Sequence, residues 1–297
     1  MASKTKIKAK AWLEATRLHT LPVSVAGVLA AVALSLTTSV HRLLPGILCL
    51  SFAVMCQIAS NFANEYFDFK AGLDRPGRDG FRRGVSEGDI SPRAMLAATI
   101  AILAVAAAIG LSLIYWGGWW LIAVGVLVII GAIAYSAGPY PLSRHGLGEL
   151  AVIIFFGIVP VNMTYFLMTA TVPTFDVVAT SIAIGLMGAN VLIVNNYRDI
   201  DDDKAGGKQT LAVMWGRTVM ESLYLFSGFI AVALMVHLWS KFNPLTWFAP
   251  AVYLAIHIYL YFCLIRRRGP ALNPLLGKTA AAMLLYIVLL FFSVLFP

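Results

Sequence analysis

The sequence predicts an all-α polytopic membrane protein, a bundle of nine transmembrane helices with the N-terminus in the cytoplasm and the C-terminus outside. Three observations predict it: too little charge for a soluble chain, nine apolar runs of spanning length, and basic residues confined to alternate connections. The 297 residues are 60% hydrophobic and 12% charged, with a mean hydropathy of +0.83. A soluble domain carries about 25% charge. Half of that leaves too little polar surface to solvate a globule, so lipid is the natural solvent. The net charge of +8 then faces anionic lipid and an anionic substrate, and no nucleic acid is called for.

A spanning helix needs about 20 mostly apolar residues. Runs that qualify cover 19–38, 43–66, 94–115, 118–136, 147–170, 175–197, 219–240, 246–265 and 277–296. Gly117-Gly118, Gly138-Pro139, Pro173, Asn243-Pro244 and Gly269-Pro270 punctuate their ends, as turn chemistry requires. Lys4, Lys6, Lys8 and Lys10 precede the first run, a signal-peptide arrangement. At about 19 residues the run exceeds a signal core of about 7–15, so it reads as the first span. The chain is then a single domain over 1–297, with a basic cytoplasmic arm over 1–11. Cys49, Cys56 and Cys263 all fall inside apolar runs without ligand spacing, which fits small buried hydrophobes and no zinc site.

Orientation follows from the basic residues. The arm and the connections after spans 2, 4, 6 and 8 hold every one of the 22 Lys and Arg except Arg42 and Lys241. Trp116, Trp119, Trp120, Trp239 and Trp247 lie near the opposite ends, where an interfacial aromatic belt belongs. Of 14 Asp and Glu only Asp176 maps outside. Seven crowd into two stretches: Glu65, Asp68 and Asp74, then Asp199, Asp201, Asp202 and Asp203. Acidic residues at membrane depth are costly and mark function.

The two stretches match. Superimposing Asn64 on Asn195 places Asp68 on Asp199 and Tyr66 on Tyr197. A four-residue step keeps side chains on one helical face, so Asn64 and Asp68 form one stripe and Asn195, Asp199 and Asp203 another. Four spans separate them, an even number, and both emerge on the same side. This reads as a parallel internal repeat. Two acidic stripes aimed at each other repel unless cations intervene. Magnesium takes about six oxygen ligands, commonly one or two carboxylates plus substrate phosphates, so the pair suits a diphosphate. The plainer alternative is that these acids are helix caps or solvated loop charges. Arg83, in Arg82-Arg83-Gly84, and Lys208, after Gly206-Gly207, follow the two motifs and complete an anion site.

These residues resemble the UbiA superfamily of intramembrane prenyltransferases, over roughly residues 12–297. The family's first pattern, Asn-Asp-x-x-Asp-x-x-x-Asp, stands here as Asn64, Glu65 and Asp68, with Gly72 in the last place and Asp74 two residues later. The second is intact at Asn195, Asp199 and Asp203, and Arg83 through Ser91 matches a further family segment with Gly84 in place of proline. Gly138–Leu142, Gly146–Glu149 and Gly207-Lys208-Gln209-Thr210-Leu211 are similar to the branch that prenylates 1,4-dihydroxy-2-naphthoate for menaquinone. The resemblance implies a bacterial inner-membrane enzyme working at the cytoplasmic face. Its substrates would be a polyprenyl diphosphate and 1,4-dihydroxy-2-naphthoate, with Mg2+ as cofactor.

It implies Asn64, Glu65, Asp68, Asp74, Asn195, Asp199 and Asp203 as metal ligands, with Asp68, Asp74, Asp199 and Asp203 as the catalytic acids. Asn64, Asn195, Arg83, Lys208, Arg17, Arg198, Tyr135 and Tyr197 form the substrate-binding set. Tyr135 offers a ring to an allylic cation, and Arg198 is equally a counterion for Asp199 or Asp203. For Asp68 and Asp74 to face one metal, the helix must break near Gly72. Glu149 is read either as orienting the acceptor or as an anchored loop charge. Rivals are a related prenyltransferase using 4-hydroxybenzoate, homogentisate, haem or a glycerol phosphate, and a secondary transporter, since repeats and intramembrane acids also mark those.

Overall fold

Among the described residues every regular element in the computed structural model is helical, in keeping with apolar runs of spanning length. The structure describes residues 2–74 and 81–296, and of residues 2–8 the backbone alone. The expected arm side chains of Lys4, Lys6 and Lys8 therefore lie outside the described residues.

Helix α1 (Ala2–Ala15) is followed by Arg17, whose backbone is left-handed (φ 51°, ψ 58°), and a 3-10 turn at Leu18–Thr20 redirects the chain into α2 (Leu21–Ser35). The expected first span is thus broken at its inner end. Helix α3 (Leu43–Lys70) has 28 residues, about 42 Å at 1.5 Å per residue. A hydrocarbon core is about 30 Å thick, so α3 is long enough to carry its last turns, with Asn64 and Asp68, past the apolar layer.

Then come α4 (Pro92–Ser112), α5 (Leu121–Ala134), α6 (Gly148–Thr169), α7 (Phe175–Arg198), the short α8 (Ile200–Ala205), α9 (Leu211–Leu234), α10 (Phe248–Ile265) and α11 (Asn273–Leu295). Among the described residues eight helices are long and apolar enough to cross a membrane. The expected fourth span is the exception, because α5 has only 14 residues, about 21 Å. Helix α6 widens into a π-helical turn at Ile153–Ile158.

The main core gathers α2, α7, α9, α10 and α11. Helix α7 is central: 78% of its apolar window is buried, which leaves one narrow stripe free to face a cavity. A smaller cluster of Ala11, Ala15, Phe62, Val85, Ile90 and Met95 pins α1 and the loop before α4 onto the inner end of α3. That loop, with the connections after α5 and α8, encloses the site.

Candidate active site

Helix α3 ends at Lys70, and Gly72 takes φ +71°, a conformation open to glycine at little cost. The break expected there is present. It leaves Asp68 on the last full turn. On the other side α7 stops at Arg198, and Asp199 bridges into α8 with the Asp203 N–H donating to its carbonyl at 2.8 Å. The four-residue relation of Asp199 and Asp203 therefore survives the junction. Gly207, at φ +78°, turns the chain so that the Lys208 N–H donates to the Asp203 carbonyl at 2.8 Å.

Both stripes open on one polar cavity of about 1000 Å³, counting the space at its mouth. Arg17, Asn64, Asp68, Arg83, Tyr135, Asn195, Asp199, Asp203 and Lys208 all line it. The Lys208 Nζ donates to Asp68 Oδ2 at 3.1 Å and lies 3.6 Å from Asp203 Oδ1. Carboxylates from the two halves of the sequence are thus within reach of one cation. Asp68 Oδ1 accepts from Arg144 Nη2 at 2.9 Å. Asn64 donates to Asp68 Oδ2 at 3.3 Å and to Ser136 Oγ at 3.0 Å, and accepts from Arg17 Nη2 at 2.5 Å. Arg198 clasps Asp199 with Nε at 2.6 Å and Nη2 at 2.8 Å, while reaching Asn195 Oδ1 at 2.8 Å and Asn273 Oδ1 at 2.9 Å. That is the counterion role.

Arg198, expected among the substrate-binding residues, does not itself line the cavity, and neither do three others of the expected set. Glu65 is fully buried beside the stripe, and its Oε1 accepts from the Val85 N–H at 2.9 Å. It fastens the loop that carries Arg83. Asp74 ion-pairs with Arg83 Nε at 3.3 Å, so beyond the break at Gly72 it stands behind a cation that lines the cavity and does not line the cavity itself. Tyr197 points to the far side of α7, donates to Glu221 Oε1 and lies under Arg217 and Arg268. Tyr197→Phe is therefore expected to keep turnover within about threefold while costing about 1 kcal/mol of stability for the lost hydrogen bond. Parallel assay and thermal unfolding measure both, and a large fall in turnover at unchanged stability would place the ring in the reaction.

The sequence reading missed Arg144 and Ser136. Arg144 is the lone Lys or Arg between α5 and α6, and its position at 19% side-chain exposure against Asp68 gives it a pairing that topology alone does not explain. Gln57, Asn61 and Thr20 also line the cavity, joined by hydrogen bonds of 3.1–3.2 Å. Glu149 accepts from Asn196 Nδ2 at 2.9 Å, and Asn196 lines the cavity.

Below the polar cavity lies an apolar cleft of about 1020 Å³ between α2, α3, α4, α5 and α6. Gln57, Ser60, Tyr135 and Phe156 line both spaces. The wide turn in α6 aims successive residues Phe155 and Phe156 at the cleft, a re-registering that π turns bring to functional sites. One end of the combined space therefore suits a diphosphate and the other a hydrocarbon. Among the described residues no three acidic, histidine or cysteine groups form a ready-made metal cage. Asp68, Asp199 and Asp203, with the side-chain amides of Asn64 and Asn195, instead bring oxygen atoms to the wall of one space.

The model of the UbiA prenyltransferase family matches residues 21–276. The 1,4-dihydroxy-2-naphthoate octaprenyltransferase of Escherichia coli (strain K12) is 33% identical over 289 residues, covering 94% of this chain and 92% of that one. The enzyme of the same name from Mycobacterium tuberculosis is 37% identical over 222 residues, 75% of each chain. Among solved structures, a UbiA homolog from Archaeoglobus fulgidus bound to GPP and Mg2+ superposes with a TM-score of 0.66 at 19% identity, over 96% of this chain and 99% of that one.

Proposed function

This chain belongs to the UbiA prenyltransferase family, and from that premise we propose that it transfers a polyprenyl group from polyprenyl diphosphate onto 1,4-dihydroxy-2-naphthoate. Carbon dioxide and pyrophosphate leave, and the prenylated naphthalene-1,4-diol forms, the reduced (quinol) form of demethylmenaquinone, a step of menaquinone biosynthesis. The observation that carries the reading is Lys208 spanning Asp68 and Asp203 at 3.1 and 3.6 Å, on the wall of a polar cavity continuous with an apolar cleft.

Each end has its task. Arg17, Arg83 and Lys208 line the polar cavity and bind the diphosphate oxygens, with charge-assisted hydrogen bonds. Asn64, Asp68, Asn195, Asp199 and Asp203 would hold magnesium, a hard cation that takes oxygen ligands and shares them with substrate phosphates. Magnesium there supplies neutralisation of the charge gathering on pyrophosphate as it departs. Glu65 and Asp74 hold the Arg83 loop around this group. The prenyl tail lies in the apolar cleft, which puts its allylic carbon at the junction beside Tyr135 and Phe156. Their ring faces stabilise the positive charge that develops as the carbon–oxygen bond breaks. A ring carbon of the naphthoate forms the new carbon–carbon bond, and the ring gives up its carboxylate as carbon dioxide.

The enzyme sits in the bacterial inner membrane with this site at the cytoplasmic face, α5 counted as the fourth of nine spans. The Lys and Arg asymmetry supports that orientation. Purified protein supplied with 1,4-dihydroxy-2-naphthoate, a polyprenyl diphosphate and magnesium is expected to form the prenylated product. Chelation should abolish it and added magnesium restore it. Replacing the acceptor by 4-hydroxybenzoate should give no product. Turnover in full chelator refutes the metal assignment, and equal turnover of the benzoate refutes the acceptor.

A further inference from the structure

The apolar cleft is closed at its outer end. Leu113, Leu121 and Leu167 line it there and pack with Val28 and Cys49 in one buried cluster. A prenyl chain longer than the cleft must therefore leave sideways. Helix α5 packs along α3 and α4. It approaches α6 near its two ends: at the inner end Phe155 fills the space a side chain at Gly131 would need, and at the outer end Trp120 packs on Phe166 at 5.7 Å. Between these brackets Val124, Gly125 and Val128 line the cleft. Their neighbours Val126, Leu127 and Ile130 are exposed, as residues meeting lipid tails would be.

Gly125 has no local reason to be glycine. It lies inside a regular helix without a positive φ, where glycine is a poorer helix former than alanine. Packing does not require it either. A Cβ at Gly131 would lie 2.3 Å from the Phe155 ring, whereas one at Gly125 meets nothing within 4 Å. What the missing side chain supplies is room in the cleft. Ten residues separate Gly125 from Tyr135, about 15 Å along the helix axis, so a short tail seated at Tyr135 stops before it and a long one passes over it.

We propose that Gly125 is a specificity-determining residue that keeps open the lateral path between α5 and α6 for long prenyl chains. The proposal rests on the tail occupying the apolar cleft. A side chain at this position shortens the longest prenyl group the enzyme transfers and spares the diphosphate end.

The experiment is a competition: the protein receives 1,4-dihydroxy-2-naphthoate, magnesium and an equimolar mixture of geranyl, farnesyl and octaprenyl diphosphates, and product lengths are read by mass spectrometry. The ratio of products is internal and does not depend on how much enzyme survives purification. Gly125→Trp is expected to lower the octaprenyl-to-geranyl product ratio by at least about tenfold, the scale on which a filled apolar pocket rejects a ligand. Gly125→Val should shift it the same way by less, and Leu127→Trp, at 62% exposure on the adjoining face, should leave it unchanged. If Gly125→Trp proves too unstable to purify, the valine variant decides. A product distribution matching the unsubstituted chain in both Gly125 variants overturns the proposal, as does an equal shift in Leu127→Trp. Absence of any product from the unsubstituted chain overturns the prenyl-transfer reading itself.

Discussion

Asp68→Ala and Asp199→Ala are each expected to lower kcat/KM by roughly 10³-fold, because a bound divalent cation contributes several kcal/mol of charge stabilisation and each 1.36 kcal/mol is tenfold. Both side chains are about 2% exposed, so neither loss is compensated by bulk water. Removing Asp68 also leaves Arg144 and Lys208 without the carboxylate that holds them at 2.9 and 3.1 Å. Asp68→Asn keeps the shape and one acceptor oxygen, which separates charge from packing. If charge matters, the asparagine variant stays as inactive as the alanine one while melting closer to the unsubstituted protein. The double variant adds a second check. Residues serving one ligand are grossly non-additive, so Asp68→Ala with Asp199→Ala should be little worse than either alone. Multiplicative losses would mean that the two stripes act on separate events. Turnover within tenfold in both single variants would end the case for a shared metal.

Much of this site was legible because the membrane makes charge informative. A solvent-facing loop tolerates acids anywhere, whereas a chain with 12% charge places each at a cost, and the Asn64–Asp68 and Asn195–Asp199–Asp203 spacings survive as real stripes on one cavity. What failed was direction around the helix. Successive residues are rotated by about 100°, so Glu65, one step from Asn64, faces the loop at Val85. Tyr197, two steps from both Asn195 and Asp199, faces α9 through Glu221. The same four-residue rule that paired the acids excluded Tyr197, and superposing the motifs obscured it. Asp74 lies beyond Gly72, where no helical register applies. Arg144 was invisible for a different reason. A single loop cation satisfies the topology rule wherever it points, and only the folded connection between α5 and α6 brings it to Asp68. The short α5 is likewise hidden in an apolar run, since composition sets the minimum length of a span and not where its hydrogen bonds stop.

Arg198 tests whether the second stripe is held by its own counterion. Its side chain is 2% exposed, with two bonds to Asp199, one each to Asn195 and Asn273, and its guanidinium 5.3 Å above the Phe81 ring. Breaking a buried pair by removing one partner costs about 3–5 kcal/mol, since the other charge stays behind uncompensated. Arg198→Ala should therefore unfold several degrees earlier in detergent and lose most activity. Arg198→Lys keeps the charge but not the planar fork, and belongs between the two. The decisive variant is Arg198→Met combined with Asp199→Asn. Replacing a buried ion pair by neutral groups is often close to neutral for stability, so this protein should recover much of its melting temperature. It should not recover turnover, because in the proposed reaction the diphosphate site uses the Asp199 charge. Recovery of both would make the pair purely architectural. Recovery of stability alone places Asp199 in the chemistry and Arg198 in the role of positioning it.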